Sequence, residues 1–100
     1  MLEDMAVLEP GQLVRSRAGR DRGKHYVVLK VLDDRYVLLV DGKKRPLENP
    51  KKKNVVHLQR YRRGLRDFSK LLQEGRINDG IIIGKLKELV TENESSPREA

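Results

Sequence analysis

Between residues 10 and 59 the apolar residues come in short runs separated by turn-forming residues, and beyond residue 60 their spacing lengthens. GQLVRSR reads as a first strand entered through Pro10 and Gly11, with Val14 and Ser16 on one face and Leu13, Arg15 and Arg17 on the other. HYVVLKVL reads as a second strand, rich in β-branched and aromatic residues. Asp33, Asp34 and Arg35 supply a tight turn and YVLLV a third strand, so residues 25 to 40 are predicted to form a hairpin whose register is ambiguous by one residue. After the turn at Asp41 and Gly42, KKRPL predicts a short fourth strand, at an edge or strand end because Pro46 has no N–H to donate. NVVHLQ, beyond the ENPKKK loop, predicts a fifth. Five short strands joined by tight turns predict a small closed or nearly closed β-barrel, a geometry that hides strand edges. VVLKVL and YVLLV are nearly continuous rather than alternating, which implies that both of their faces are partly covered, in part by the chain beyond residue 59.

After Gln59 the period changes. Tyr61, Leu65, Phe68 and Leu72 fall at i, i+4, i+7 and i+11, which predicts one face of a helix ending near Gly75, with Arg62, Arg63, Arg66 and Lys70 on the opposite face. Gly64 inside it costs about 1 kcal/mol relative to Ala. A second helix is predicted from Asn78 or Asp79 as N-cap, with Ile82, Leu86, Leu89 and Val90 on its apolar face. Gly80, Gly84 and three consecutive isoleucines leave a strand open for IIIG. TENESSPREA is polar and charged and is expected to be disordered. The expected organisation is therefore an arm over residues 1–9, the barrel over 10–59, a helical extension over 60–90 and a tail over 91–100.

One hundred residues make one domain with a modest core. The formal net charge is +7, and the basic residues are concentrated: the span from Arg15 to Arg63 holds 16 basic and 5 acidic residues. Such a segment suits a polyanion, nucleic acid or anionic lipid. Cysteine is absent, which excludes disulfides, thiolate metal sites and thiol nucleophiles. MLEDMAVLEP is acidic and does not read as a signal peptide, and nothing approaches the roughly 20 apolar residues of a membrane span. A cytoplasmic protein, monomeric when free, is expected.

Enzyme signatures fail on spacing. Gly19-Arg20-Asp21-Arg22-Gly23-Lys24-His25 has the glycines and lysine of a phosphate-binding P-loop, but too few residues lie between the glycines. His25 also stands where Ser or Thr should bind magnesium, and the stretch leads into a strand rather than a helix. Asp33 and Asp34 are explained by a hairpin turn, and His25 and His57 lack partners at metal-ligand spacing. Neither Ser16 nor Ser69 lies in a nucleophile motif. No catalytic residue, metal or cofactor is expected.

The basic surface remains. Its candidates are Arg15, Arg17, Arg20, Arg22 and Lys24 in and before the first loop, Lys43, Lys44 and Arg45 after the hairpin, and Lys51, Lys52 and Lys53. Lysine runs are often only solvated loops, but arginine dominates the first group and its planar fork matches phosphate. On a barrel this small the three groups fall within reach of one another. With only Tyr26, Tyr36, Tyr61 and Phe68 as aromatics, and the last two fitting the apolar helix face, contacts are expected to be to backbone phosphates and shape rather than to stacked bases. Gly19 and Gly23 shape the loop, and Asp21 is placed to brace it.

PGQLVRSRAGRDRGKHYVVLKVLDDRYVLLVDG resembles the KOW motif. The match lies in Gly11 opening the first strand, Val14 three positions on, the Gly19, Arg20, Gly23, Lys24 loop, and the run with Val28 and Val31. Residues 10 to 59 are similar to the KOW barrel of large-subunit ribosomal protein L fourteen-e, and closer still to small bacterial KOW-domain RNA-binding proteins. Tyr26 stands where many KOW motifs have a small residue, and residues 60–100 carry no match to the ribosomal protein's tail. The resemblance implies an SH3-like five-stranded barrel that binds RNA, ribosomal RNA in particular, through the loop from Arg17 to Lys24. It implies a noncatalytic role in translation, in a ribonucleoprotein such as the large ribosomal subunit or in its assembly. The alternative is a protein-interaction module, since KOW barrels also dock on ribosomal and transcription proteins and the Tyr61, Leu65, Phe68, Leu72 stripe offers a surface. Attachment to an anionic membrane is disfavoured because no amphipathic basic helix carries inserting aromatics.

Overall fold

A computed structural model gives one five-stranded antiparallel sheet followed by two helices, and it describes residues 8–95. The strands are β1 (Gln12–Ser16), β2 (His25–Val31), β3 (Tyr36–Val40), β4 (Lys51–Asn54) and β5 (Leu58–Gly64), in the spatial order β4-β3-β2-β1-β5. A single 3₁₀ turn, Val55–His57, joins β4 to β5, and the helices are α1 (Phe68–Gln73) and α2 (Asp79–Ser95). Residues 1–7 of the expected arm and 96–100 of the expected tail lie outside the described residues, while Thr91 to Ser95 continue α2. The sheet is open: β4 and β5 are its two edges and the strand pairing does not join them, where the sequence predicted a closed or nearly closed barrel.

Alternate residues of the central strands feed two cores, which is why their sequences look continuously apolar. Val14, Tyr26, Val28, Val37, Leu39 and Leu58 form one core on one side of the sheet. Leu13, Val27 and Val40 point the other way, against Phe68 of α1 and Ile82, Leu86 and Leu89 of α2. Each such side chain contributes about 1.5–3 kcal/mol on full burial. The hairpin from 25 to 40 forms as expected, with Asp33 Oδ1 accepting the N–H groups of both Arg35 and Tyr36 at 2.8 Å. Those two bonds hold the Asp33 carboxyl below the usual carboxylate range. The one-residue ambiguity has a structural counterpart: the β2–β3 register shifts by one residue between Val28 and Lys30.

Three expected elements are displaced. Residues 43–47 form no strand; they close a turn in which Asp41 and Gly42 donate to the Arg45 carbonyl. The fourth strand is instead the lysine run Lys51–Asn54, which pairs Lys51 with Leu39 and Lys53 with Val37. Residues 55–57 interrupt the expected fifth strand with the 3₁₀ turn, so β5 begins at Leu58 and runs past residue 59 to Gly64. The helix expected from residue 60 is correspondingly short. Tyr61 belongs to β5, Gly64 packs against the backbone of Gly11, and α1 starts only at Phe68, after Asp67 takes a left-handed conformation (φ 56°).

α2 starts where the sequence placed it, with Asn78 as the cap: its Oδ1 accepts the Ile81 N–H at 2.8 Å. Asp79 instead turns outward from the helix to accept the Leu47 N–H at 2.8 Å, pinning the 46–49 turn beside α2. Replacing Asn78 by Ala is expected to cost about 1 kcal/mol, read as a melting temperature about 4–8 °C lower.

Candidate nucleic-acid interface

β1 and β2 are joined by a loop whose backbone closes on itself twice: Arg22 N–H donates to Gly19 O and Lys24 N–H to Asp21 O. Gly23 N–H to Ser16 O and Ser16 N–H to Lys24 O complete the connection. Gly19 and Gly23 both sit at φ +89°, a conformation that L side chains rarely adopt. This geometry turns residues 20, 21 and 22 alternately outward and inward. Arg20 and Arg22 are exposed, whereas Asp21 is 7% exposed.

Asp21 is the anchor of the loop. Its Oδ1 accepts from Ser16 Oγ at 2.8 Å and Lys53 Nζ at 3.0 Å, and its Oδ2 accepts from the Tyr26 hydroxyl at 2.9 Å. Burial alone would raise its pKa, but the hydrogen bonds from Lys53, Ser16 and Tyr26 outweigh that and hold it at about 2. Burial, and then the bond to this carboxylate, push the Tyr26 phenol well above its usual range. Tyr26 is thus a working part of the brace. Lys53 Nζ also donates to the Ala18 carbonyl at 3.0 Å, and Lys51 Nζ lies 3.8 Å from Asp21 Oδ2.

The lysine run therefore divides. Lys51 and Lys53, paired with Leu39 and Val37, reach Asp21 and secure the loop, with the Lys53 side chain only 11% exposed, while Lys52 holds its ammonium 4.6 Å from the centre of the Tyr36 ring. Lys53 acts inside the fold rather than as an open phosphate contact. Arg15 and Arg17 are exposed at the end of β1, with Arg15 in register between His25 and Gln59. Lys43 and Lys44 are exposed and Arg45 is half-buried. Lys24, Lys43 and Lys44 line one groove of about 570 Å³ against α2. The first loop thus touches the Lys51–Lys53 strand on one side and shares a groove with the 43–45 turn on the other, so the three basic segments meet at one end of the sheet.

A second arginine group was not singled out from the sequence. Arg60, Arg62, Arg63 and Arg66 line a cleft of about 270 Å³ beside Gln12, whose Nε2 donates to the Tyr61 carbonyl at 2.9 Å. The run RYRRGLR reads as the polar face of a helix, and only Gly64 signals that a strand ends there. Tyr61 stacks on His25, ring centres 5.7 Å apart and planes 18° apart, so His25 serves in a ring pair and not opposite His57, which sits exposed in the 3₁₀ turn. Among the described residues no group of three or more His, Cys, Asp or Glu is placed to hold a metal ion, and no helix is long and apolar enough to cross a membrane. No protein-family model matches the chain, and no curated protein matches it.

Proposed function

We propose that the protein is a noncatalytic RNA-binding protein whose sheet is an SH3-like barrel of the KOW type, and that it works on ribosomal RNA in the large ribosomal subunit or its assembly. The observation that supports this reading is the convergence of three basic segments on one end of the sheet, around a loop that Asp21 braces with three side-chain hydrogen bonds. Exposed Arg20 and Arg22 on a braced loop meet phosphate without first losing loop entropy, which is what a binding surface gains from preorganisation. A barrel reading draws support from the link that Lys53 makes between β4 and the β1–β2 loop, and from Arg17 N–H donating to His57 O, both of which bring the sheet's two edges toward one loop. The protein-docking alternative is left with little surface, because Phe68 is 1% exposed and Tyr61, Leu65 and Leu72 pack against the helix-side core.

Arg20→Ala and Arg22→Ala are each expected to weaken RNA binding across sequences and to make the slope of log K against log salt less negative by about one unit. An unchanged slope would show that the loop does not touch phosphate. Cosedimentation with the large ribosomal subunit at physiological salt tests the setting; recovery only in the soluble fraction would count against it.

A further inference from the structure

The groove shared by the first loop, the 43–45 turn and α2 differs from the rest of the basic surface. Its floor is aliphatic, formed by Ile83, Leu86 and Val90. Its rim carries the ammonium groups of Lys24, Lys43, Lys44 and Lys87 against one carboxylate, Asp41, whose Oδ1 already accepts the N–H groups of Lys43 and Arg45. At about 570 Å³ it falls within the 300–1,000 Å³ usual for ligand pockets. A purely phosphate-binding surface has no use for an apolar floor, and a duplex keeps its base faces stacked inside the helix. An unpaired nucleotide offers both halves of the match: a flat, poorly hydrated base and a charged phosphate.

We infer that this groove takes an unpaired nucleotide of the bound RNA, its base on Ile83, Leu86 and Val90 and its flanking phosphates on the rim lysines. The inference rests on the RNA-binding reading and adds to it a preference for single-stranded segments. Lys24 supplies the continuity, since it closes the arginine loop and also lines the groove, so a strand crossing Arg20 and Arg22 leads directly into it. α2 gains a role here, carrying half of a recognition surface as well as covering the sheet.

The test is equilibrium binding of an unstructured RNA strand and of a blunt RNA duplex to the full chain, its Lys87→Ala variant and its Val90→Ser variant, each at several salt concentrations. Wild type is expected to prefer the unpaired strand. Val90→Ser, which changes no charge, is expected to lose about fivefold for the strand through the apolar contact that serine does not supply, and nothing for the duplex. Lys87→Ala, on the exposed surface of α2, is expected to make the strand's salt slope less negative by about 0.7 and leave the duplex slope unchanged. Equal affinity for strand and duplex, or a Val90→Ser variant that binds the strand like wild type, would overturn the groove while leaving RNA binding intact. Failure of wild type to bind either RNA would overturn the RNA reading itself. Tighter binding of an acidic amphipathic peptide or of anionic phosphatidylglycerol vesicles than of RNA, weakened by Val90→Ser, would assign the groove to a different occupant. Thermal melts of both variants serve as the folding control.

Discussion

Gly11→Ala is expected to lower the melting temperature by about 15 °C. The residue lies at φ +93°, and a methyl group built on it would stand 2.5 Å from Phe68 Cβ and 2.8 Å from the Leu65 carbonyl oxygen. The left-handed backbone alone costs a non-glycine residue about 1–2 kcal/mol, and overpacking against neighbours adds about 1–3 kcal/mol. A total of about 3 kcal/mol, at about 4–8 °C per kcal/mol for a domain of this size, gives the expected shift. The neighbours cannot yield cheaply, because the same backbone crossing holds the chain where β5 turns toward α1. Leu65 N–H donates to Gly11 O at 2.7 Å, and a Cβ on Gly64 would meet that same carbonyl at 2.7 Å. Gly84→Ala is the matched control of opposite sign. It sits in α2 with nothing within 4 Å of the added carbon, and helix propensity predicts a gain of about 0.5–1 kcal/mol. A Gly11→Ala protein that melts like wild type would mean that this crossing is not fixed.

That crossing is also where the sequence misled. Tyr61, Leu65, Phe68 and Leu72 have helical spacing, and all four do pack on one side against the helix-side core, but they reach it from a strand, a turn and a short helix in succession. Periodicity reports which residues face inward and is silent on the path that brings them there. Gly64 was the local sign of a break, and its reason, contact with Gly11 more than 50 residues earlier, is tertiary. The lysine run failed for a related cause. Three consecutive lysines have the composition of a solvated loop, and what holds them as β4 is the ladder with β3 together with the buried carboxylate of Asp21, reached by Lys51 and Lys53 from alternate positions. The hairpin, by contrast, was legible because its determinants are local: β-branched runs on either side of an aspartate that caps its own turn.

The candidate site divided in the same way. Exposed Arg20 and Arg22 and the conformations of Gly19 and Gly23 follow from a seven-residue stretch read alone. The meeting of Lys24 with Lys43, Lys44 and α2 depends on sheet order and on where the helix lands, and the arginines from Arg60 to Arg66 were assigned to the wrong element. Charge marked the basic segments; only the fold separates the lysines that brace the first loop from those that line the groove beside α2.

Asp21→Ala is expected to cost about 3 kcal/mol and to flatten part of the acid limb of the stability curve. The substitution leaves the Lys53 ammonium and the Ser16 and Tyr26 hydroxyls, all nearly buried, without their common acceptor, and removing one member of a buried ion pair costs about 3–5 kcal/mol. The lower end applies because Lys53 keeps the Ala18 carbonyl. Asp21→Ala combined with Lys53→Met is expected to lose less than the sum of the two single changes, since the second removes the charge the first orphans. The pH dependence has a definite sign. The folded-state value of about 2 lies below the ordinary 3.8, so the unfolded chain binds the proton first. The contribution, about 2 kcal/mol, is fully present above about pH 4 and disappears as the pH falls through about 2. Denaturant unfolding of wild type and variant between pH 6 and pH 2 should therefore give curves that converge toward acid, because the variant has no such carboxylate to protonate; parallel curves would show that Asp21 is not the anchor. RNA binding supplies a second readout with competing terms. Removing a negative charge from a basic loop should by itself tighten binding, whereas releasing the loop from its brace should weaken it by the entropy of reordering Arg20 and Arg22. Raising the salt shrinks the first term and leaves the second, so the affinity of the variant relative to wild type is expected to fall as salt rises.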